Sequence, residues 1–365
     1  MHLVIFGLTI SSSWGNGHPT LWRGLVRAMV GRGHTVTFYE RDVPYYANAR
    51  DPWPLPEGAA LLLYGFFDEI RERARRDADH ADLALCTSFC PDGPAAARLI
   101  LDSHAAIKAF YDMDTPVTLD ALLGGERAAY LPAEGLGEFD LVLSYTGGRA
   151  LTELQARLGA RSVAPLYGWV DPAAHFPVAP VEKFRGELSY LGTYAADRQR
   201  ALENLFLEPA RRMPEARFQL AGALYPEGYA WPQNVAYARH LEPRLHPAFL
   251  CSSRATLNIT RGVMAKFGHC PSGRLFEAAA CGTPILSDGW NGLEHFFVPG
   301  RELLRVDSAD DVLAALSLTD AELRRVAAAA RSKVLERHTA ERRVEELEGL
   351  CERIFARNEP AELAS

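Results

Sequence analysis

The sequence predicts an α/β protein built from two doubly wound units in series. Short apolar runs alternate with helical patterns through the first half. The same alternation restarts after a proline-bearing stretch that begins near Trp169. The chain has 365 residues, more than the roughly 250–300 that one hydrophobic core usually serves. Alternation of this kind indicates parallel sheets covered by helices on both faces.

In the first half, Leu3–Gly7, Thr35–Tyr39, Asp82–Cys86, Ile107–Tyr111, Leu141–Ser144 and Ser162–Leu166 read as strands. Pro19–Val30 reads as a helix, with Leu21, Trp22, Leu25, Val26, Met29 and Val30 at helical spacing. Gly31 and Gly33 end it. Trp169–Glu187, with Pro172, Pro177 and Pro180, lacks periodicity and reads as a linker. Leu188–Leu191, Arg217–Ala221, Ala255–Ile259, Pro284–Ser287 and Leu303–Val306 are the strands of the second half. Thr339–Phe355 is an amphipathic helix whose stripe of Val344, Leu347, Leu350 and Ile354 suits packing on its own chain better than a coiled coil. The expected domains are residues 1–172 and 173–338, with residues 339–365 as a C-terminal helix.

Composition excludes several classes. Hydrophobic residues are 48% and charged residues 23%, as in a globular protein. The net charge of −7 argues against non-specific nucleic-acid binding. No run reaches the ~20 apolar residues of a membrane span, and Met1–Phe6 is strand-like without a basic leader. A cytoplasmic location is expected. The six cysteines form no zinc-type pair and read as free buried thiols.

Ligands of open α/β sheets bind beyond the carboxyl ends of the strands, and three such ends carry unusual residues. The first is the loop Gly7–His18, where Gly15 and Gly17 let backbone approach a ligand. It lacks the third glycine of the dinucleotide fingerprint. It reads as a wall of a binding cleft, with Gly15, Asn16, Gly17 and His18 as its residues, or as a flexible connection. The second is Gly192-Thr193-Tyr194, followed by Asp197-Arg198. Backbone N–H groups, a hydroxyl and Arg198 there suit a phosphate; a helix cap with a solvated charged face is the alternative. The third runs from Asn258-Ile259-Thr260-Arg261 through Ser272-Gly273-Arg274 to Asp288. A helix with Ser272 as N-cap and Gly282 as its stop offers free N–H groups and a partial positive charge to a diphosphate. Glu277 lies inside that apolar helix and is costly unless it meets partners, for which ribose hydroxyls are suited.

These residues carry a family resemblance. Ser272–Asp288, continued by Gly292-Leu293-Glu294-His295-Phe296-Phe297 and Pro299-Gly300, resembles the signature of CgeB-type (spore-maturation-like) glycosyltransferases, within the glycosyl transferases group 1. Asp112-Met113-Asp114-Thr115-Pro116-Val117 resembles a further segment of that family. The resemblance implies a GT-B fold, two Rossmann-like domains with a cleft between them, and a final helix, within residues 339–365, that crosses back to the first domain. It implies a nucleoside-diphosphate sugar as donor, bound by the second domain, and an acceptor bound mainly by the first. The acceptor is a saccharide, a lipid, a protein or a small metabolite. It implies Glu277 as the second Glu of a Glu-x7-Glu motif, holding the ribose, and no obligatory metal or other cofactor. His269 stands where that motif has its first Glu, so the sequence departs from the family there; His269 reads as a sugar or diphosphate contact, or as structural.

The expected chemistry is transfer of the sugar to an acceptor hydroxyl with retention. The step that most needs help is departure of the diphosphate, whose growing negative charge preorganised donors stabilise. Arg198, Arg261 and the backbone at Ser272 and Gly273 are the candidates, with Arg274 either on the diphosphate or in a salt bridge. Gly192 and Thr193 complete the donor set. An inverting enzyme needs a base, for which Asp112, Asp114 and His18 are placed; turn capping before Pro116 is the other reading of the two aspartates. A sugar-nucleotide epimerase of the same architecture and a non-catalytic sugar-nucleotide binder are the rivals. The missing glycine fingerprint disfavours a nicotinamide dehydrogenase.

Overall fold

Two all-parallel sheets organise the chain, and a computed structural model describes its residues 1–358. The first sheet holds β1 (His2–Gly7), β2 (Thr35–Arg41), β3 (Ala59–Tyr64), β4 (Leu83–Thr87), β5 (Ile107–Asp112), β6 (Leu141–Ser144) and β7 (Val163–Pro165). Their order across the sheet is β3-β2-β1-β4-β5-β6-β7. The second sheet holds β8 (Gly186–Leu191), β9 (Phe218–Ala221), β10 (Val235–Ala238), β11 (Ser253–Asn258), β12 (Ile285–Ser287) and β13 (Leu304–Arg305). Its order, β10-β9-β8-β11-β12-β13, repeats the first sheet's winding. Each sheet therefore reverses beside its own first strand, the switch point where such sheets bind ligands.

Central strands are apolar on both faces because helices cover both. β4 and β6 are buried at every position. The edge strands β3 and β10 are mostly half-buried and lack the continuous apolar burial of the centre. Neither shows in the sequence as a strand, since residues 59–64 follow a proline-rich stretch and residues 235–238 are only four long.

The chain divides into two compact units. One comprises Met1–Ser12, Trp22–Tyr167 and the chain from Ala340 onward. The other comprises Ser13–Leu21 and Gly168–Thr339. In the first, Trp22 packs edge-on against Phe38 and Tyr111. The helix Ala340–Asn358 buries Val344, Leu347 and Ile354. Its Arg343 is 1% exposed and donates from Nε to the Tyr167 carbonyl at 2.9 Å. In the second, Phe206 lies against Tyr190 and Phe218 in the main core.

One buried carboxylate shapes the chain after β1. Glu40, near the end of β2, is 1% exposed. It accepts four hydrogen bonds: from the Thr9 hydroxyl (2.8 Å), the Ile10 N–H (2.7 Å), the Ser11 N–H (3.0 Å) and the Ser11 hydroxyl (2.5 Å). A carboxylate with acceptors only suits a turn that presents only donors. Glu40→Gln turns an –NH2 group toward these donors. A loss of about 1–3 kcal/mol is expected, read as a lower urea midpoint of the full chain. An unchanged midpoint would show that the loop does not need the charge.

Candidate functional site

A pocket opens at the switch-point end of the second sheet. Its total open volume is ≈ 400 Å³. Two glycine turns make one wall. Gly192 and Thr193 follow β8, and Gly222 and Ala223 follow β9. A Cβ on Gly222 would lie 2.0 Å from the Gly192 carbonyl oxygen, so the two turns approach backbone to backbone. Tyr237 donates its hydroxyl to the Gly222 carbonyl at 3.0 Å, and Tyr225 donates to that of Gly192 at 3.3 Å. His240 and Leu241, just after β10, form another side. Ser13, Gly15, Asn16 and Thr20 come from the short Ser13–Leu21 segment of the same unit. Beside them the Trp14 ring lies 4.9 Å from that of His240, and the Arg239 guanidinium stands over the same Trp14 ring at 5.8 Å.

Arg274 and His246 complete the lining, which contains no carboxylate. Arg274 is presented by the helix Gly273–Ala280. Ser272 caps that helix, its hydroxyl accepting the Arg274 N–H at 3.3 Å. The helix is apolar because it is buried from Leu275 to Ala280, and Gly282 turns the chain away at φ +70°. Glu277 sits in the middle of it at 3% exposure, one layer behind the pocket wall. Its Oε2 accepts from Arg274 Nη1 at 2.7 Å. Burial pushes the Glu277 carboxyl up, but the Arg274 guanidinium outweighs this and leaves it at about 2. His175 Nε2 and His246 Nδ1 both stand 3.9 Å from the same oxygen. Burial and the Arg274 charge hold the His246 imidazole down at about 3, so it is neutral.

The remaining expected residues are distributed as follows. Gly192, Thr193, Arg274, Gly15 and Asn16 share the pocket. Ser272, Gly273 and Glu277 belong to the helix that brings Arg274 there. Gly17 is exposed, and the N–H of His18 donates to Asn16 Oδ1 at 3.1 Å. Arg198 lies outside the lining and donates from Nη2 to the Thr193 carbonyl, bracing the turn. Arg261 pairs with Asp197 at 3.4 Å. His269 adopts φ +46°, uncommon for a side chain with a Cβ, and its N–H donates to the Asn291 carbonyl at 2.7 Å. Asp112 and Asp114 belong to the first unit. Asp112 is fully buried, and its Oδ1 accepts the Asp114 N–H at 3.0 Å, as a capped turn requires. Burial pushes its carboxyl up to about 7.

His246, Gly222, Ala223, His240, Leu241, Ser13, Thr20 and Leu191 were not among the sequence candidates. Gly222-Ala223 directly follow a strand visible in the sequence, so the strand-end rule applied there would have found them. His240 and Leu241 follow the edge strand that the sequence hides. His246 opens the short helix His246–Ser252 and carries no local signal.

Residues 198–349 match the family model described as "Glycosyl transferase-like". No curated protein sequence matches the chain. Solved structures match nearly throughout. The sucrose-phosphate synthase from Thermosynechococcus elongatus is similar at a TM-score of 0.70 and 14% identity, over 98% of this chain and 100% of that one. Anabaena HepE in complex with UDP and glucose is similar at 0.66 and 11%, over 97% and 100%. An α-glucosyltransferase in complex with UDP and a 13-mer DNA is similar at 0.68 and 10%, over 96% of this chain and 99% of that one. Together these place the fold as GT-B, an α/β architecture with two Rossmann-like sheets.

The raised Asp112 carboxyl sets a pH dependence. Its folded value, about 7, lies above its ordinary 3.8. The folded state therefore prefers the protonated form, and its stabilisation is complete below about pH 4 and lost as pH rises toward 7. Asp112→Asn should remove that part of the slope. The gap between wild-type and variant stability should change by about 1–4 kcal/mol between pH 4 and pH 8. Parallel curves from urea unfolding at both values would show that Asp112 does not titrate there.

Proposed function

We propose that the protein is a glycosyltransferase that binds a nucleoside-diphosphate sugar in this pocket and passes the sugar to an acceptor hydroxyl. One observation carries the reading: a GT-B switch-point pocket walled by two backbone turns and a guanidinium, with no carboxylate in its lining. Arg274 favours a diphosphate, while an all-neutral or cationic ligand would meet indifference or repulsion. The match of residues 198–349 to a glycosyl transferase-like family supports it. Two of the similar structures were solved with UDP, so UDP-glucose is the first donor to test.

In this reading the leaving diphosphate lies against the Gly192-Thr193 turn and the N-terminus of the Gly273–Ala280 helix. Arg274 leaves Glu277 in part and turns to the phosphate. Charge that develops on the leaving group meets donors already in place, which is where reactions of this kind gain most of their acceleration. Arg198 holds the Thr193 turn in shape, and Arg261 supplies a further cation. His269, held in a strained backbone conformation, contacts the transferred sugar. Glu277, one layer behind the wall, positions Arg274 rather than meeting the ribose itself. Without a carboxylate in the lining to share a hard cation, Mg²⁺ and Mn²⁺ are not needed at the diphosphate. Transfer retains configuration, the donor phosphate taking the acceptor proton. The CgeB-type relationship, the hexosyl donor and the cytoplasmic setting belong to the same proposal.

Calorimetric titration with UDP, GDP, dTDP and ADP should find one nucleotide that binds in the micromolar range. Arg274→Ala should weaken it at least tenfold, a loss of about 1.4 kcal/mol or more. Added Mg²⁺ or Mn²⁺ should leave the affinity unchanged. Absence of binding by all four nucleotides would end the donor-site assignment.

Gly222→Ala offers an independent check. Its new methyl cannot be accommodated beside the Gly192 carbonyl without moving one turn. Nucleotide binding should fall at least tenfold while circular dichroism stays that of a folded α/β protein. Retained affinity would place the nucleotide elsewhere.

A further inference from the structure

His175, His246 and Glu277 meet behind the pocket although they come from three separate segments of the second unit. His175 belongs to the stretch that precedes β8, His246 opens the helix His246–Ser252, and Glu277 lies in Gly273–Ala280. Their side chains are 1%, 5% and 4% exposed. One ligand-type atom from each lies within 4.8 Å of the others, the one such group among the described residues.

Hydrogen bonding does not account for the arrangement. Both histidines stand 3.9 Å from Glu277 Oε2, beyond hydrogen-bond reach. Neither ring nitrogen of His175 has a partner, and neither does Nδ1 of His246. Buried polar atoms left in this way are rare and costly. His246 Nε2 faces the Leu241 carbonyl at 3.3 Å. A proton held there leaves the Nδ1 lone pair pointing at the cluster. That is the arrangement by which a backbone carbonyl orients an imidazole toward a metal.

We propose that these three side chains bind one divalent transition-metal ion of the zinc class. Two imidazoles and a carboxylate form a donor set that suits zinc and disfavours magnesium or calcium. Bond lengths of about 2.0–2.2 Å require each side chain to move inward by roughly half an ångström, a rotation rather than a refolding. Arg274, bonded to the Glu277 carboxylate at 2.7 Å, takes the place of the outer hydrogen bond that ligating carboxylates ordinarily receive. The guanidinium and both histidines face the same Oε2, whose two lone pairs let ion and guanidinium share it. Asp171, also buried, accepts the His175 N–H on its backbone carbonyl at 2.9 Å and brings a second acidic side chain to that segment.

The fourth coordination position faces the pocket, which His246 and Arg274 both line. The ion would act as a staple. It would tie the segment before β8 to two helices and hold the floor under Arg274. It is separate from any cation on the diphosphate, and its binding does not depend on the nucleotide.

The test uses the full chain, expressed with zinc in the medium and washed with a weak chelator. Emission spectrometry should find about one zinc per chain, and His175→Ala should lower this at least tenfold. Replacement by Co²⁺ should produce visible absorption bands of a four- or five-coordinate ion in the wild type. Wild-type protein with less than a tenth of an equivalent of zinc and no Co²⁺ bands would overturn the proposal. So would full zinc content in His175→Ala. Should that variant not fold, the wild-type Co²⁺ spectrum and a Zn²⁺ titration of chelator-stripped protein decide alone. Nucleotide titration of the same samples separates this from the preceding reading: nucleotide binding without zinc sinks the metal site only, and zinc without nucleotide binding sinks the donor site only.

Discussion

The Arg274–Glu277 ion pair is the interaction around which the second unit's pocket is arranged. A carboxylate in the middle of a buried apolar helix is unfavourable unless a cation and further polar groups meet it. Arg274, one turn earlier on the same helix, meets it at 2.7 Å. That bond fixes where the guanidinium stands, and the guanidinium stands in the pocket wall. His175 and His246 fill the rest of the space around the carboxylate. The charge that makes the site attractive to an anion is thus held from behind by a group that the ligand need not touch first.

The two glycine turns supply the complementary constraint. A Cβ on Gly222 would meet the Gly192 carbonyl and one on Gly192 the Tyr190 side chain, so neither position tolerates a side chain. Parallel strands β8 and β9 end side by side, and their turns must cross the same small space. The result is a wall of backbone amides rather than side chains. At the other end of the pocket Trp14, Arg239 and His240 meet.

Proteins of this architecture keep function in strand-end loops while the sheets stay regular. Both sheets here share one strand order, yet their switch points differ in chemistry. The second carries the amide wall and Arg274. In the first, Glu40 gathers four donors and locks the chain after β1, and Asp112 is sealed in a capped turn. Burial without a counter-charge makes Asp112 reluctant to ionise, which is unlike the paired Glu277. Carboxylates of similar burial therefore sit at opposite ends of the acidity range because only one has a guanidinium beside it.

Much of this was legible in the residues themselves. Central strands announce themselves because burial on both faces demands unbroken apolar runs, as in Leu83–Thr87 and Leu141–Ser144. Ser272 and Gly282 mark their helix because a cap hydroxyl and a left-handed stop are local needs. The isolated Glu277 in that apolar helix already called for a buried partner, and Arg274 is that partner. What lay beyond reach was anything settled by distant partners. The edge strands β3 and β10 are apolar but short and border proline-bearing stretches, and each is held by one neighbour, so only the pairing shows that they join a sheet. Histidines as far apart in the chain as His175 and His246 carry no shared spacing; only the packing of three segments brings them to one oxygen. Local chemistry determined where helices and strands begin and end. Tertiary structure decided which polar groups meet, because long-range contacts leave no periodic trace in a chain.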